Sequence, residues 1–107
     1  MMADIRFEDQ GDGKFALHGE LTYYTASSAL EQSKELFQDH ARIELDMTDV
    51  TDGDSAGLAV LLEWVNWAKN YVREIRYINV PGQIVAIAQI SEVDDMLTKG
   101  ERWTGII

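Results

Sequence analysis

Residues 43–69 read Ile43-Glu44-Leu45-Asp46-Met47-Thr48-Asp49-Val50-Thr51-Asp52-Gly53-Asp54-Ser55-Ala56-Gly57-Leu58-Ala59-Val60-Leu61-Leu62-Glu63-Trp64-Val65-Asn66-Trp67-Ala68-Lys69. Arg42 to Met47 alternates apolar and polar residues, which predicts a strand. An acidic loop follows. From Ser55 to about Tyr71 the apolar residues recur at helical spacing, which predicts the longest helix of the chain. One hydroxyl, Ser55, is thus presented at a helix start, and Gly57 two residues later leaves it uncrowded.

Outward from this stretch, Ile5 and Phe7 begin a first short strand, and Gln10-Gly11-Asp12-Gly13 is a turn cluster. Phe15 to His18 forms the second strand of a hairpin, and Gly19-Glu20-Leu21-Thr22 leaves it. A helix starts near Thr25, capped by Thr25 or Ser27. Its inner face is Ala26, Ala29, Leu30, Ser33, Leu36 and Phe37, and Asp39-His40 closes it. Beyond the central stretch, Glu74 to Ile78 is a further strand. Pro81 sits where prolines open helices. Ile84, Ile87, Ala88 and Ser91 follow helical spacing, although so short an apolar run also suits a strand. Residues 91–107 are less regular, and Trp103 needs something to cover it. The expected fold is a single α/β domain over 1–107, a small mixed β-sheet covered by helices, in the order β-β-α-β-α-β-α. Strands that alternate with helices should be parallel and joined by right-handed crossovers.

The central helix carries two apolar stripes. Leu58, Leu61, Leu62, Val65 and Ala68 group on one side, the expected sheet-facing core. Val60, Trp64, Trp67 and Tyr71 follow i, i+4, i+7, i+11 and lie roughly opposite. A surface helix needs one apolar face. The second must therefore meet a neighbouring helix, a second copy of the chain in a homodimer, or a different protein. Tryptophan and tyrosine are frequent interface anchors.

Composition narrows the classes. The 107 residues suit one domain, and 46% hydrophobic content belongs to a globular chain rather than a disordered one. With 19 acids against 9 bases the formal charge is −10, which disfavours nucleic acid and anionic lipid surfaces as partners. The absence of cysteine removes disulfides, thiolate nucleophiles and cysteine-bound zinc. Met1 to Arg6 lacks the pattern of a secretory signal, and no apolar run approaches the ~20 residues of a membrane span. The expected location is the cytoplasm, with no direct membrane insertion.

Asp46, Asp49, Asp52 and Asp54 invite a metal reading, yet no start position among them meets the calcium-loop template. They are expected instead to end a strand and cap loop or helix amides, and no metal or cofactor is expected. His18 and His40 fall in separate elements, so neither is placed to activate Ser55, and no catalytic residue is assigned. Phosphate-loop and dinucleotide glycine motifs are absent. Ser55 is read as a helix N-cap that can also be a regulatory hydroxyl, because a phosphate there would add nearly two negative charges beside Asp52 and Asp54.

Ile43-x-Leu45-Asp46-x-Thr48-x-Val50, followed by Asp54-Ser55-Ala56-Gly57-Leu58-Ala59-Val60-Leu61-Leu62, resembles the STAS domain family. Gly19-Glu20-Leu21-Thr22 resembles the family's other signature. The likeness runs from about Phe7 to Ile90. Within the family, Gly57 to Leu62 followed by Ala68-Lys69 is most similar to the small STAS subunit of Mla-type ABC transporters, which move phospholipids to maintain outer-membrane lipid asymmetry. That resemblance implies a non-catalytic cytoplasmic subunit that clasps the transporter ATPase and sits at the inner membrane only through that complex. It implies a contact surface of Asp54, Ser55, Ala56, Gly57, Val60, Trp64, Trp67 and Tyr71. Anti-sigma-factor antagonists carry a phosphorylatable serine where Ser55 stands, whereas the Mla-type subunits tend to carry threonine followed by glycine. Ser55 followed by Ala56 keeps the alternative partner, an anti-sigma factor kinase, in view.

Overall fold

The computed structural model describes residues 4–98. Their order is β1 (Ile5–Gly11), β2 (Lys14–Leu21), α1 (Ala26–Phe37), β3 (Arg42–Asp46), β4 (Val50–Gly53), α2 (Ser55–Asn70), β5 (Glu74–Ile78), α3 (Gly82–Ile90) and α4 (Asp95–Thr98). Trp103 and the rest of 99–107 lie outside the described residues. The α/β fold with a small mixed sheet stands as expected from sequence. The order gains one strand, because β4 occupies part of the expected acidic loop, and a short final helix, α4.

β1 and β2 form the expected hairpin. Asp12 and Gly13 both have positive φ (56° and 78°), the geometry of the tight turn whose twist matches paired strands. Gly13 also lies against the Arg42 carbonyl, so a side chain there would collide with β3. β2 does not stop at His18. It continues through Leu21 because Gly19 to Leu21 pair in parallel with Val50 to Gly53. β2 also pairs in parallel with β3, and β3 with β5, giving the order β1-β2-β3-β5 with β4 beside the end of β2. Residues 47–49 thus link two segments lying along the same strand, with Met47 buried in the core, and Asp46 holds that link. Its Oδ1 accepts from the Thr48 amide (3.0 Å), the Thr48 hydroxyl (2.6 Å) and the Asn79 side chain (3.2 Å).

The strand alternation decides which face is buried. Ile5, Phe15, Leu17, Ile43, Leu45, Ile75 and Tyr77 are buried, while Arg6, Glu8, Lys14, Arg42 and Arg76 are exposed on the other face. Under the helices the rings of Phe7, Phe15, Phe37 and Trp64 meet at centroid distances of 5.5 to 6.4 Å, mostly edge to face. Such pairs add about 0.5–1.5 kcal/mol each beyond the area that they bury. The Tyr77 hydroxyl, buried beneath α2, donates to the Leu61 carbonyl, and burial pushes its pKa well up. α1 buries Ala29, Ser33 and Phe37, as its periodicity predicts. Thr25 occupies its N-cap position but does not cap it. Its hydroxyl accepts from the Thr22 amide (3.0 Å) and donates to the Glu20 carbonyl (2.8 Å), bracing the β2–α1 loop instead.

Candidate functional site

The Asp54–Gly57 corner is where β4 turns into α2. Asp54, not Ser55, is the N-cap. Its backbone is extended, and its Oδ1 accepts from the Gly57 amide at 3.0 Å. A carboxylate outcompetes the neighbouring hydroxyl here because it accepts through two oxygens and is favoured by the helix dipole. The second oxygen, Oδ2, accepts from the Tyr23 amide at 3.0 Å. One side chain therefore ties the β2–α1 loop to the start of α2. Partial burial alone would raise the Asp54 pKa, but donation from the Tyr23, Gly57 and Ala56 amides prevails and holds it below the ordinary carboxylate value.

With Asp54 as cap, Ser55 falls on the first helical residue, is exposed, and makes no side-chain hydrogen bond among the described residues. Ala56 behind it is half-buried. Gly57 has a different duty from leaving Ser55 room. It is buried, and a Cβ there would overlap the Leu21 carbonyl oxygen and come within 3.1 Å of its carbon. The glycine lets the first turn of α2 lie directly on the end of β2.

The second stripe of α2 divides in two, and its inner half corrects the expectation of a docking face. Val60 and Trp64 are each only 2% exposed and belong to the core. For Trp64 the reason is α1, which packs on this side: the ring meets Phe37, and the indole N–H donates to Ser33 Oγ at 2.9 Å. The outer half stays at the surface. Trp67 is half-buried against Phe37, with the Arg73 guanidinium 5.5 Å over its ring, and Tyr71 is 62% exposed. Arg73 also donates to the Gln38 and His40 carbonyls (2.9 and 2.6 Å), closing the end of α1. A groove of about 300 Å³ between α1 and α2 is lined by Leu30, Ser33, Phe37, Glu63, Trp64 and Trp67.

The sequence reading missed Tyr23 and Tyr24. They follow β2 after Thr22, are 75% and 82% exposed, and meet edge to face at 5.6 Å. The Tyr23 amide bond to Asp54 places this pair beside Ser55. The signal available in the sequence was two large rings on consecutive residues, which a strand or helix with a single buried face does not both bury.

Among the described residues, no group of three His, Asp or Glu side chains is placed to hold a metal ion, and no helix is long and apolar enough to cross a membrane. His18 lies 2.7 Å from Glu8 and 3.4 Å from Asp49, within β2 and away from the start of α2.

The family model described as "Mlab, STAS domain" matches residues 5–98. A search of curated proteins returned no match. Among solved structures, the anti-sigma factor antagonist SpoIIAA in its unphosphorylated form is similar, with a TM-score of 0.68 and 12% sequence identity. The alignment covers 89% of this chain and 86% of that one. At that identity the likeness establishes the fold.

Proposed function

The chain belongs to the STAS domain family, and from that membership we propose that it is a non-catalytic accessory subunit of an Mla-type phospholipid-transport ABC complex, one that maintains outer-membrane lipid asymmetry. In this role it binds and supports the ATPase subunit, is cytoplasmic, and is held at the inner membrane through the complex. The observation that carries the proposal is the Ser55 corner. Asp54 satisfies the helix end by itself, so Ser55 and the adjoining Tyr23 and Tyr24 are left with no internal duty. Large apolar side chains held at a rigid surface corner suit protein contact. The description of the matching family model supports the choice of the Mla-type system. Coexpression with the P-loop ATPase of an Mla-type transporter tests the proposal. The chain should copurify with that ATPase, and Ser55→Arg should weaken the complex about tenfold or more while leaving thermal unfolding unchanged. Normal binding by Ser55→Arg, or no complex with the wild type, would refute it.

A second role is favoured by the same hydroxyl. Ser55 is exposed and its hydroxyl unbonded at the first residue of a sixteen-residue helix, where the helix dipole favours the negative charge of a phosphate. On this alternative the chain is an anti-sigma-factor antagonist released or engaged by phosphorylation of Ser55. Intact mass after incubation with a cognate anti-sigma kinase decides it: one added phosphate on the wild type and none on Ser55→Ala supports this role, and an unchanged wild-type mass refutes it.

A further inference from the structure

The parallel strands give the molecule two ends of different charge. β2, β3 and β5 begin, and α1 and α2 finish, at one end. Lys14, Lys34, Arg42, Lys69 and Arg73 are all placed there by chain position, interleaved with Asp12, Glu35, Asp39, Glu44 and Glu74, so that end is of mixed charge. Of the other described cations, Arg6 lies beside His18 and Arg76 sits mid-way along β5. The opposite end, where β2, β3 and β4 finish and α2 starts, carries Glu20, Asp46, Asp49, Asp52 and Asp54, with no Lys or Arg of these segments among them. Glu20 and Asp52 are direct neighbours across the β2–β4 pair. Like charges on adjacent strands oppose each other; Asp52 accepts from the Gly53 amide (2.9 Å) and the Gln83 side chain (3.2 Å) through Oδ1 alone, and neither bond requires Glu20 beside it.

Tyr23 and Tyr24 stand at this acidic end. Their edge-to-face contact at 5.6 Å fixes a ring surface that already exists without a partner, and the Asp54 bond to the Tyr23 amide anchors it to α2. Exposed tyrosine faces attract guanidinium and ammonium groups, and adjacent carboxylates strengthen that attraction. We infer that the corner is a receptor for a cationic protein surface, with arginine or lysine side chains seated on Tyr23 and Tyr24 and held by Asp52 and Glu20. This deepens the corner's role in the proposed function by giving the partner face its chemistry. It also adds the β2–α1 loop to the contact.

The test is an amide-resolved NMR titration of the whole chain with a short arginine–alanine repeat peptide, using a glutamate–alanine repeat as control. Shifts are expected at Tyr23, Tyr24, Asp52 and Ser55 with the basic peptide alone. They should fade as salt approaches 1 M, where the screening length is about 3 Å. Tyr23→Ala/Tyr24→Ala should weaken peptide binding about fivefold, and Asp52→Asn should weaken it further. All three side chains are exposed, so the variants keep the fold, which circular dichroism verifies. The inference is overturned if shifts instead gather on Asp12, Glu31, Glu35 and Glu44, or if the tyrosine variant binds as the wild type does. Failure to copurify with the ATPase would remove the transporter role without touching this result, and the peptide result does not depend on that partner.

Discussion

The Trp64 indole N–H donates to Ser33 Oγ at 2.9 Å in the buried seam between α1 and α2. Ser33 in turn donates to the Leu30 carbonyl one turn back, at 2.8 Å. A serine on the inner face of an amphipathic helix is therefore the partner of a buried tryptophan, not a packing defect. Ser33→Ala leaves the indole N–H without an acceptor in a dry site, at a cost of about 1–3 kcal/mol. In a Trp64→Phe background the same change should cost much less, since no donor remains to be stranded. Urea unfolding of the four proteins of this cycle measures the coupling. Equal costs in both backgrounds would show that the bond contributes nothing.

Gly57 sets two effects against each other. Alanine inside a helix is intrinsically favoured over glycine by about 1 kcal/mol. Against that, the new Cβ would overlap the Leu21 carbonyl, a backbone atom fixed by the β2–β4 pairing. Overpacking of this kind costs about 1–3 kcal/mol, so Gly57→Ala should lower the urea midpoint on balance. Because α2 must lift from β2, the amide signals of Tyr23 and Ser55 should move as well. A stabilised variant with unmoved signals would mean that the contact is loose.

Much of this architecture was legible because periodicity reports directly on burial. The hairpin followed from Asp12-Gly13, the α1 core from Ala29, Ser33 and Phe37, and the α2 core from Leu58, Leu61, Val65 and Ala68. β4 was not legible, since Val-Thr-Asp-Gly offers a single inward residue and takes its strand geometry from pairing with β2. The sequence offered both Asp54 and Ser55 as caps for α2, and it is Asp54, extended in backbone and accepting from the Gly57 amide, that takes the role. The second stripe of α2 was visible, but a helical wheel gives directions and not neighbours. Val60 and Trp64 are buried, Trp64 against α1, and Tyr71 is left out. Tyr23 and Tyr24 carried no periodic signal at all. Their meaning comes from a hydrogen bond to a residue thirty-one positions away.

The end of α2 holds a strained residue. Val72 has φ of 55°, the left-handed region, and is mostly exposed. It occupies the position after the C-cap that glycine or asparagine usually takes. Its amide donates to the Lys69 carbonyl (3.4 Å), and the Arg73 amide donates to the Ala68 carbonyl (2.8 Å). A β-branched side chain crowds the backbone there at a cost of roughly 1–2 kcal/mol. Val72→Asn keeps the turn, relieves that crowding and gives up little buried area. It should stabilise the domain by about 0.5–1 kcal/mol, read as a raised urea midpoint at unchanged slope. A lowered midpoint would place the strain elsewhere.

Asp46 and Asp54 give the fold a dependence on acid. The Thr48 hydroxyl and amide, together with Asn79, hold the Asp46 carboxyl below its ordinary range despite partial desolvation. At Asp54, desolvation is outweighed by the amides of Tyr23, Gly57 and Ala56. Both pKa values are depressed on folding, so the unfolded chain takes up protons first as pH falls. The stability that these groups contribute is fully present above the unfolded carboxylate value of about 4 and is lost as pH drops through the lower folded values. Urea midpoints measured from neutral pH to about pH 3 should therefore fall steeply in the wild type over the last unit or so. Asp46→Asn/Asp54→Asn should start lower at neutral pH, since amides cap and clamp less strongly than carboxylates, and should fall less over the acid window. A drop as large as that of the wild type would assign the acid sensitivity to other carboxyls.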